Sequence, residues 1–188
     1  MRVFHDPEPL GEILRRGGVV ILPTDTIYGL HAVASNEAAV ARIAEIKGRG
    51  DDKPFVVIAA DAAQLRAYGA AVPEALDSLW PAPLTAIMRR GAATVAARVP
   101  ALPWLHALLE STGPLVSTSV NRSGEPPISS IDEVAKEMAP GIDAAFDGGP
   151  LEGKPSTIVD FTGEQPRIVR EGDPVFAQNL RKSLRISL

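Results

Sequence analysis

Residues 19–30 read Val19-Val20-Ile21-Leu22-Pro23-Thr24-Asp25-Thr26-Ile27-Tyr28-Gly29-Leu30. The four apolar residues that open the stretch predict a short buried strand. The polar residues that leave it, with a glycine close behind, predict a loop at the strand's end. Working backwards, Asp6-Pro7 followed by Leu10, Ile13 and Leu14 reads as a capped helix, and Gly17-Gly18 stops it. Working forwards, Ser35-Asn36-Glu37 carries N-cap chemistry for a second helix that runs to Ile46. Helix, strand, polar loop and helix therefore follow one another.

The same alternation continues along the chain. Strands are expected at Phe55–Ile58, Thr85–Met88, Thr94–Val99, Leu115–Ser119, Ala144–Asp147, Thr157–Phe161 and Arg167–Val169. Helices are expected from Asp61 to Leu65, Pro73 to Leu79, Trp104 to Glu110, Asp132 to Met138 and Pro174 to Leu184. Long crossovers favour parallel strand pairs, and the short late turns favour antiparallel ones. The expected fold is a single α/β domain over residues 1–188, with a twisted mixed sheet and flanking helices. No repeat or Pro/Gly-rich linker divides it.

Composition narrows the function. With 188 residues, 45% apolar and 22% charged, the chain can bury a core and still hold a cleft. It has no cysteine, which excludes disulfides, zinc–thiolate sites and thiol nucleophiles. Three scattered histidines, His5, His31 and His106, make a His-rich metal site unexpected. A net charge of −4 argues against a general nucleic-acid coat, which needs a basic excess. No apolar run approaches the roughly 18 residues of a membrane span. The first residues lack a secretory h-region, so a cytoplasmic location is the expectation.

Four polar segments carry the candidate chemistry. The first, Pro23 to Leu30, either holds a polar ligand with its hydroxyls or satisfies its own turn. The second, Lys47-Gly48-Arg49-Gly50-Asp51-Asp52-Lys53-Pro54, brings three cations together with glycines. It is either a phosphate clamp or a helix end whose cations offset the macrodipole. It is not a P-loop, because G-x-x-x-x-G-K-[ST] is absent. The third, Ser117-Thr118-Ser119-Val120-Asn121-Arg122-Ser123-Gly124, is rich in hydroxyls and amides and reads as a ligand loop or a Ser/Asn turn. The fourth, Lys154-Pro155-Ser156-Thr157 with Arg170 beyond, reads on its own as a solvated turn. The set offers cations and hydroxyls but no histidine base and no paired carboxylates. That inventory suits phosphoryl or nucleotidyl transfer, which runs on positioning and charge neutralisation.

The chain resembles the YrdC-like family, and within it the single-domain L-threonylcarbamoyladenylate synthases. The resemblance rests on PTDTIYGL at 23–30, KGR at 47–49, WPAPLT at 80–85, RVP at 98–100, STSVNRSG at 117–124, PSTIVD at 155–160 and IVREG at 168–172. These motifs span a core of about residues 10–172, followed by the C-terminal helix at about 174–184. The resemblance implies a sheet with a concave basic cleft. It also implies an enzyme that makes threonylcarbamoyl-AMP and pyrophosphate from L-threonine, bicarbonate and ATP. The product would feed a partner complex that modifies adenosine 37 of tRNA.

Carried over by motif, Lys47 and Arg49 are expected as the catalytic clamp on the ATP phosphates, with Lys53 nearby. Ser119 and Asn121 are expected beside the nucleotide and its Mg²⁺, which ATP would carry; no metal site of the protein's own is implied. Arg170, Thr94 and Pro127 are expected along the nucleotide. Thr26, Arg98, Ser117 and Ser156 are expected at the threonine, with Arg98 on its carboxylate. This chain departs from the family pattern at Gly50, where proline is usual after K-x-R. His31 stands where Y-G-L-G has its last glycine, and Ile58 stands where a longer branch carries histidine. Weak tRNA binding is a further expected contact of the synthase. The competing class is a non-catalytic RNA- or nucleotide-binding module on the same fold. A carbamoyl-phosphate-using relative is a third option, but its usual cysteine-rich and acylphosphatase parts do not occur in this sequence.

Overall fold

The computed structural model describes residues 1–48, 55–122, 125–134 and 136–186. Its strands are β1 (Arg2–Phe4), β2 (Val20–Pro23), β3 (Tyr28–Val33), β4 (Val56–Ile58), β5 (Leu84–Arg90), β6 (Ala93–Arg98), β7 (Leu115–Ser119), β8 (Ala144–Phe146), β9 (Thr157–Asp160) and β10 (Arg167–Arg170). Its helices are α1 (Glu8–Arg15), α2 (Glu37–Ile46), α3 (Ala62–Ala67), α4 (Ala75–Leu79), α5 (Pro103–Thr112) and α6 (Pro174–Leu184). All the strands join one sheet in the order β1-β8-β2-β3-β7-β4-β6-β5-β9-β10. The sheet is mixed. The pairs β1–β8, β2–β8, β4–β6 and β5–β9 are parallel, and the remaining neighbours are antiparallel. No described helix is long and apolar enough to cross a membrane.

Local chemistry sets the helix ends. Asn36 caps α2 by accepting from the Ala39 amide at 3.0 Å, and Asp173 caps α6 by accepting from Val175 and Phe176 at 3.0 Å each. Gly91, with φ of 59°, makes the tight turn between β5 and β6.

Strand register decides which face is left for a ligand. Ala32, Val116, Val57, Ala97, Ala86 and Val159 lie in one cross-strand row. Their face is sealed by Ile43 of α2, Leu65 of α3, Leu76 of α4 and Leu180 of α6. On the opposite face, α1 and α5 cover Val20, Leu22, Ile58 and Leu115 with Leu10, Leu14, Leu105 and Leu109. Beyond that cover, the same face presents Ser117, Ser119, Thr94, Arg98, Thr85 and Arg170. Polar residues there replace the apolar ones that a covering helix would need.

Several expectations are corrected. Tyr28 to Leu30 belong to β3 rather than to a loop. Tyr28 through Ala32 are buried, so these residues are shielded on both sides of the sheet despite Gly29 and His31. β1 at the sheet edge was not anticipated. The helix expected from Asp132 to Met138 is replaced by two 3₁₀ turns, Ile131–Glu133 and Ala139–Gly141. Glu133 turns back onto Ser129, accepting from its amide at 2.9 Å and its hydroxyl at 2.6 Å, and Pro140 blocks a regular helical bond.

Candidate active site

α2 ends at Ile46, and Gly48, with φ of 58°, turns the chain away from the helix axis. Lys47 sits at this terminus, yet only 4% of it is exposed. Its ammonium donates to the Ser119 carbonyl at 2.7 Å and to Asn121 Oδ1 at 2.6 Å. The Ser119 hydroxyl donates to the same Oδ1 at 2.5 Å, and Asn121 Nδ2 donates to the Glu125 carbonyl at 2.5 Å. A lysine that merely offset the helix dipole would stay in water. This one is aimed across the sheet at the end of β7.

The loop between β2 and β3 divides its work. Thr24 satisfies the turn: its hydroxyl donates to the Ile27 carbonyl at 2.8 Å and accepts from the Thr26 and Ile27 amides. Thr26 and Asp25 turn instead to β6. Arg98 Nη1 donates to Thr26 Oγ1 at 2.8 Å, and Arg98 Nη2 lies 3.3 Å from Asp25 Oδ1. The second Asp25 oxygen accepts from the Ala101 amide at 3.1 Å. Burial pushes the Arg98 pKa down, Asp25 opposes that shift, and Arg170 adds to it. Arg98 Nε is buried and has no hydrogen-bond partner among the described residues.

Ser156, just ahead of β9, is not in a solvated turn. It is buried, and its hydroxyl lies 2.7 Å from Thr85 Oγ1 on β5. Arg170 donates to the Ser156 carbonyl through Nη2 at 2.9 Å and Nε at 3.2 Å. Gly172 donates to Thr157 Oγ1 at 3.1 Å, which ties the end of β10 to β9. Gly153 lies so close to the first loop that a Cβ would fall 1.6 Å from the Thr26 carbonyl oxygen. The Tyr28 hydroxyl donates to the Gly149 carbonyl at 2.7 Å and accepts from the Gly148 amide at 3.0 Å, which anchors the same late loop.

His31 lies on this same face, paired with Ser117 of β7 and Val20 of β2. It is fully buried and neither ring nitrogen has a well-aligned partner. Burial, with Arg98 nearby, lowers its pKa to about 3; weak backbone contacts at Val116 and Leu22 oppose this only in part, so the ring is neutral. A Cβ on Gly29 would stand 2.6 Å from its Nε2 and 3.3 Å from Ser117 Oγ. Glycine at 29 therefore makes room for both side chains.

A family model for Sua5, YciO and YrdC proteins, described as "telomere recombination", matches residues 12–172. The chain belongs to this family. Its relatives include a threonylcarbamoyl-AMP synthase of Pyrococcus abyssi, 37% identical over 175 residues, covering 85% of this chain and 52% of that protein. A threonylcarbamoyl-AMP synthase of Nitrosococcus oceani is 36% identical over 174 residues, covering 82% of this chain and 93% of that protein. The solved structure of P. abyssi Sua5 complexed with L-threonine superposes with a TM-score of 0.83 at 34% identity, covering 94% of this chain and 56% of that one. The chain thus spans about half the length of the P. abyssi protein.

Within this Sua5/YciO/YrdC framework the expected residues fall into two groups. Lys47, Ser119 and Asn121 are bonded together at one end of the open face. Thr26 and Arg98 form the second group, with Ser156 and Arg170 beside them. Ser117 lies in β7 between the groups, paired with His31 and Val56. Thr94 shares the face but is exposed at the start of β6, and Pro127 is exposed; neither is bonded to either group. Arg49 and Lys53 lie outside the described residues. Two participants escaped the sequence reading. Asp25 is inside the first motif, but an aspartate between threonines looks like turn chemistry. Thr85 closes WPAPLT and looks like an ordinary strand residue. The β5–β9 pairing brings Thr85 to Ser156, and the β2–β3 loop brings Asp25 to Arg98 of β6.

Proposed function

We propose that this chain is a nucleotidyltransferase that forms threonylcarbamoyl-AMP and pyrophosphate from L-threonine, bicarbonate and ATP. It would act in the cytoplasm and supply a partner complex that modifies adenosine 37 of tRNA. The observation that carries the reading is the presence of two polar groups on the part of one sheet face that α1 and α5 leave uncovered. One is centred on a buried lysine and the other on a buried arginine, in a chain 37% identical to a threonylcarbamoyl-AMP synthase.

The chemistry follows from the two groups. The threonine amine and bicarbonate condense to a carbamate with loss of water. A carbamate oxygen attacks the α-phosphorus of ATP, and pyrophosphate leaves. Both reactants are anions, so their approach is opposed by repulsion. Lys47 would offset it at the phosphates, with its ammonium held in place by Ser119 and Asn121. Arg49 is proposed beside it on sequence grounds, and Lys53, Thr94, Pro127 and Arg170 along the nucleotide. Arg98 and Thr26 would take the amino acid's carboxylate and orient its amine, with Ser117 and Ser156 lining the same end. Holding both reactants in register supplies much of the remaining acceleration.

No group of three His, Asp or Glu residues among the described ones is arranged to hold a metal ion. The donors near Lys47 are a hydroxyl and an amide oxygen, which fit Mg²⁺ delivered on a triphosphate better than a dedicated cage. Carried by ATP, the ion supplies neutralisation of phosphate charge.

The test is pyrophosphate release with each component omitted in turn. Release should need L-threonine, bicarbonate, ATP and Mg²⁺ together, and Lys47→Ala should lower turnover by about 10²-fold or more in a folded protein. Release indifferent to threonine, or RNA binding without any turnover, would overturn the reading in favour of a binding module.

A further inference from the structure

Arg98 is a cation almost cut off from water. Its side chain is 6% exposed, and that of Asp25 is 10% exposed. The aspartate is fixed from behind, since Oδ2 accepts from the Ala101 amide while Oδ1 faces the guanidinium at 3.3 Å. Oδ1 makes no aligned hydrogen bond, so charge rather than a directed bond holds the pair.

A second guanidinium, that of Arg170, borders this end of the face from the side proposed for the nucleotide, close enough to act on Arg98. Ala97 pairs with Ala86, which sets Arg98 opposite Thr85; Thr85 pairs with Ile158, and Ile158 with Arg170. Arg170 is anchored on the Ser156 carbonyl, and Ser156 is bonded to Thr85. Arg98 feels the charges of Asp25 and Arg170, and the neutral His31 ring adds none. Among the described residues, two guanidinium groups and one carboxylate at this end leave one positive charge.

We propose that Asp25 is a positioning residue that fixes Arg98 and cancels one of the two guanidinium charges, so that this end of the site accepts an amino acid with a single carboxylate and rejects one with a second negative charge. The inference rests on the reading of the chain as a threonine-using synthase. Arg98 stays the group that meets the substrate carboxylate. Asp25 acts through it, by setting its orientation and the number of charges a ligand must match.

The experiment compares calorimetric binding of L-threonine and L-aspartate, without ATP, to the wild-type protein and to Asp25→Asn. Asparagine keeps an oxygen for the Ala101 amide but removes the charge. Wild type should prefer threonine. In Asp25→Asn the threonine affinity should fall, and the threonine-to-aspartate affinity ratio should shift at least tenfold towards aspartate. Asp25→Glu, which keeps the charge at altered reach, should weaken threonine binding without moving the ratio. Arg170→Gln, at an exposed position, should weaken threonine binding and leave aspartate rejected. An unchanged ratio in Asp25→Asn overturns the proposal. Should that variant not fold, a shifted ratio in Asp25→Glu or unaltered threonine binding in Arg170→Gln overturns it instead. Wild type that binds no threonine removes both this proposal and the synthase reading. Wild type that binds and turns over threonine with an unshifted variant ratio removes this proposal alone.

Discussion

An imidazole buried without an aligned partner carries a thermodynamic signature, and His31 is such a group. Its pKa is lowered to about 3, whereas a histidine in the unfolded chain titrates near 6.5. Between those values the unfolded state binds a proton that the native state refuses. Stability is therefore fully present above about pH 6.5 and is lost as pH falls towards 3, by up to about 1.4 kcal/mol per pH unit. Urea unfolding at a series of pH values from 7.5 to 4 should show this slope in the wild type. It should be reduced in His31→Leu, which keeps an apolar filling for the site. Equal slopes in the two proteins would mean that His31 is protonated in the native state, in conflict with its burial between β2 and β7.

Among the elements, the late loops are held by close backbone contacts as well as by the Tyr28 hydroxyl. Gly153 packs on the Thr26 carbonyl, and Gly172 packs against the backbone of Pro155 at 2.2 Å from where a Cβ would lie. Gly153→Ala cannot be absorbed by a side-chain rotation, because the obstructing atom is backbone. The β2–β3 loop must move, carrying Thr26 away from Arg98. The expected result is a rise in the threonine KM of tenfold or more with a folded protein, read by pyrophosphate release and circular dichroism. An unaltered KM would show that the loop's position is not set by this contact. These contacts also explain what was legible in the sequence. The apolar runs at Val19–Leu22 and Leu115–Val116 announced their strands, and the cap at Asn36 announced α2. The strand β3 was hidden because Tyr28-Gly29-Leu30-His31 alternates in no regular way; its burial comes from neighbours on both faces. Ser156 read as solvated because its partner, Thr85, is distant in sequence and reaches it only through the β5–β9 pairing. Spacing could suggest that Lys47 and Asn121 were ligand residues, but not that their side chains meet at 2.6 Å.

At the scale of the whole molecule, the sheet carries two separate polar groups on one face. The Lys47 group sits where α2 meets the end of β7, and the Arg98 group sits where the β2–β3 loop meets β6. Described bonds tie each group internally, while between them lies Ser117 in the register row of Val56 and Ala96. Two ligands on separate anchors should stabilise the fold independently. A ligand present at about 100 times its Kd adds about 2.7 kcal/mol, which for a domain of this size raises the melting temperature by roughly 5–10 °C. ATP with Mg²⁺ should produce such a shift in the wild type and lose most of it in Lys47→Ala. L-Threonine should still raise the melting temperature of Lys47→Ala and should fail to do so in Arg98→Gln. A loss of both shifts in either variant would mean that the groups form one coupled site. In that case the path from ATP to threonine runs through β7, and Ser117, the residue between them, becomes the position at which to break it.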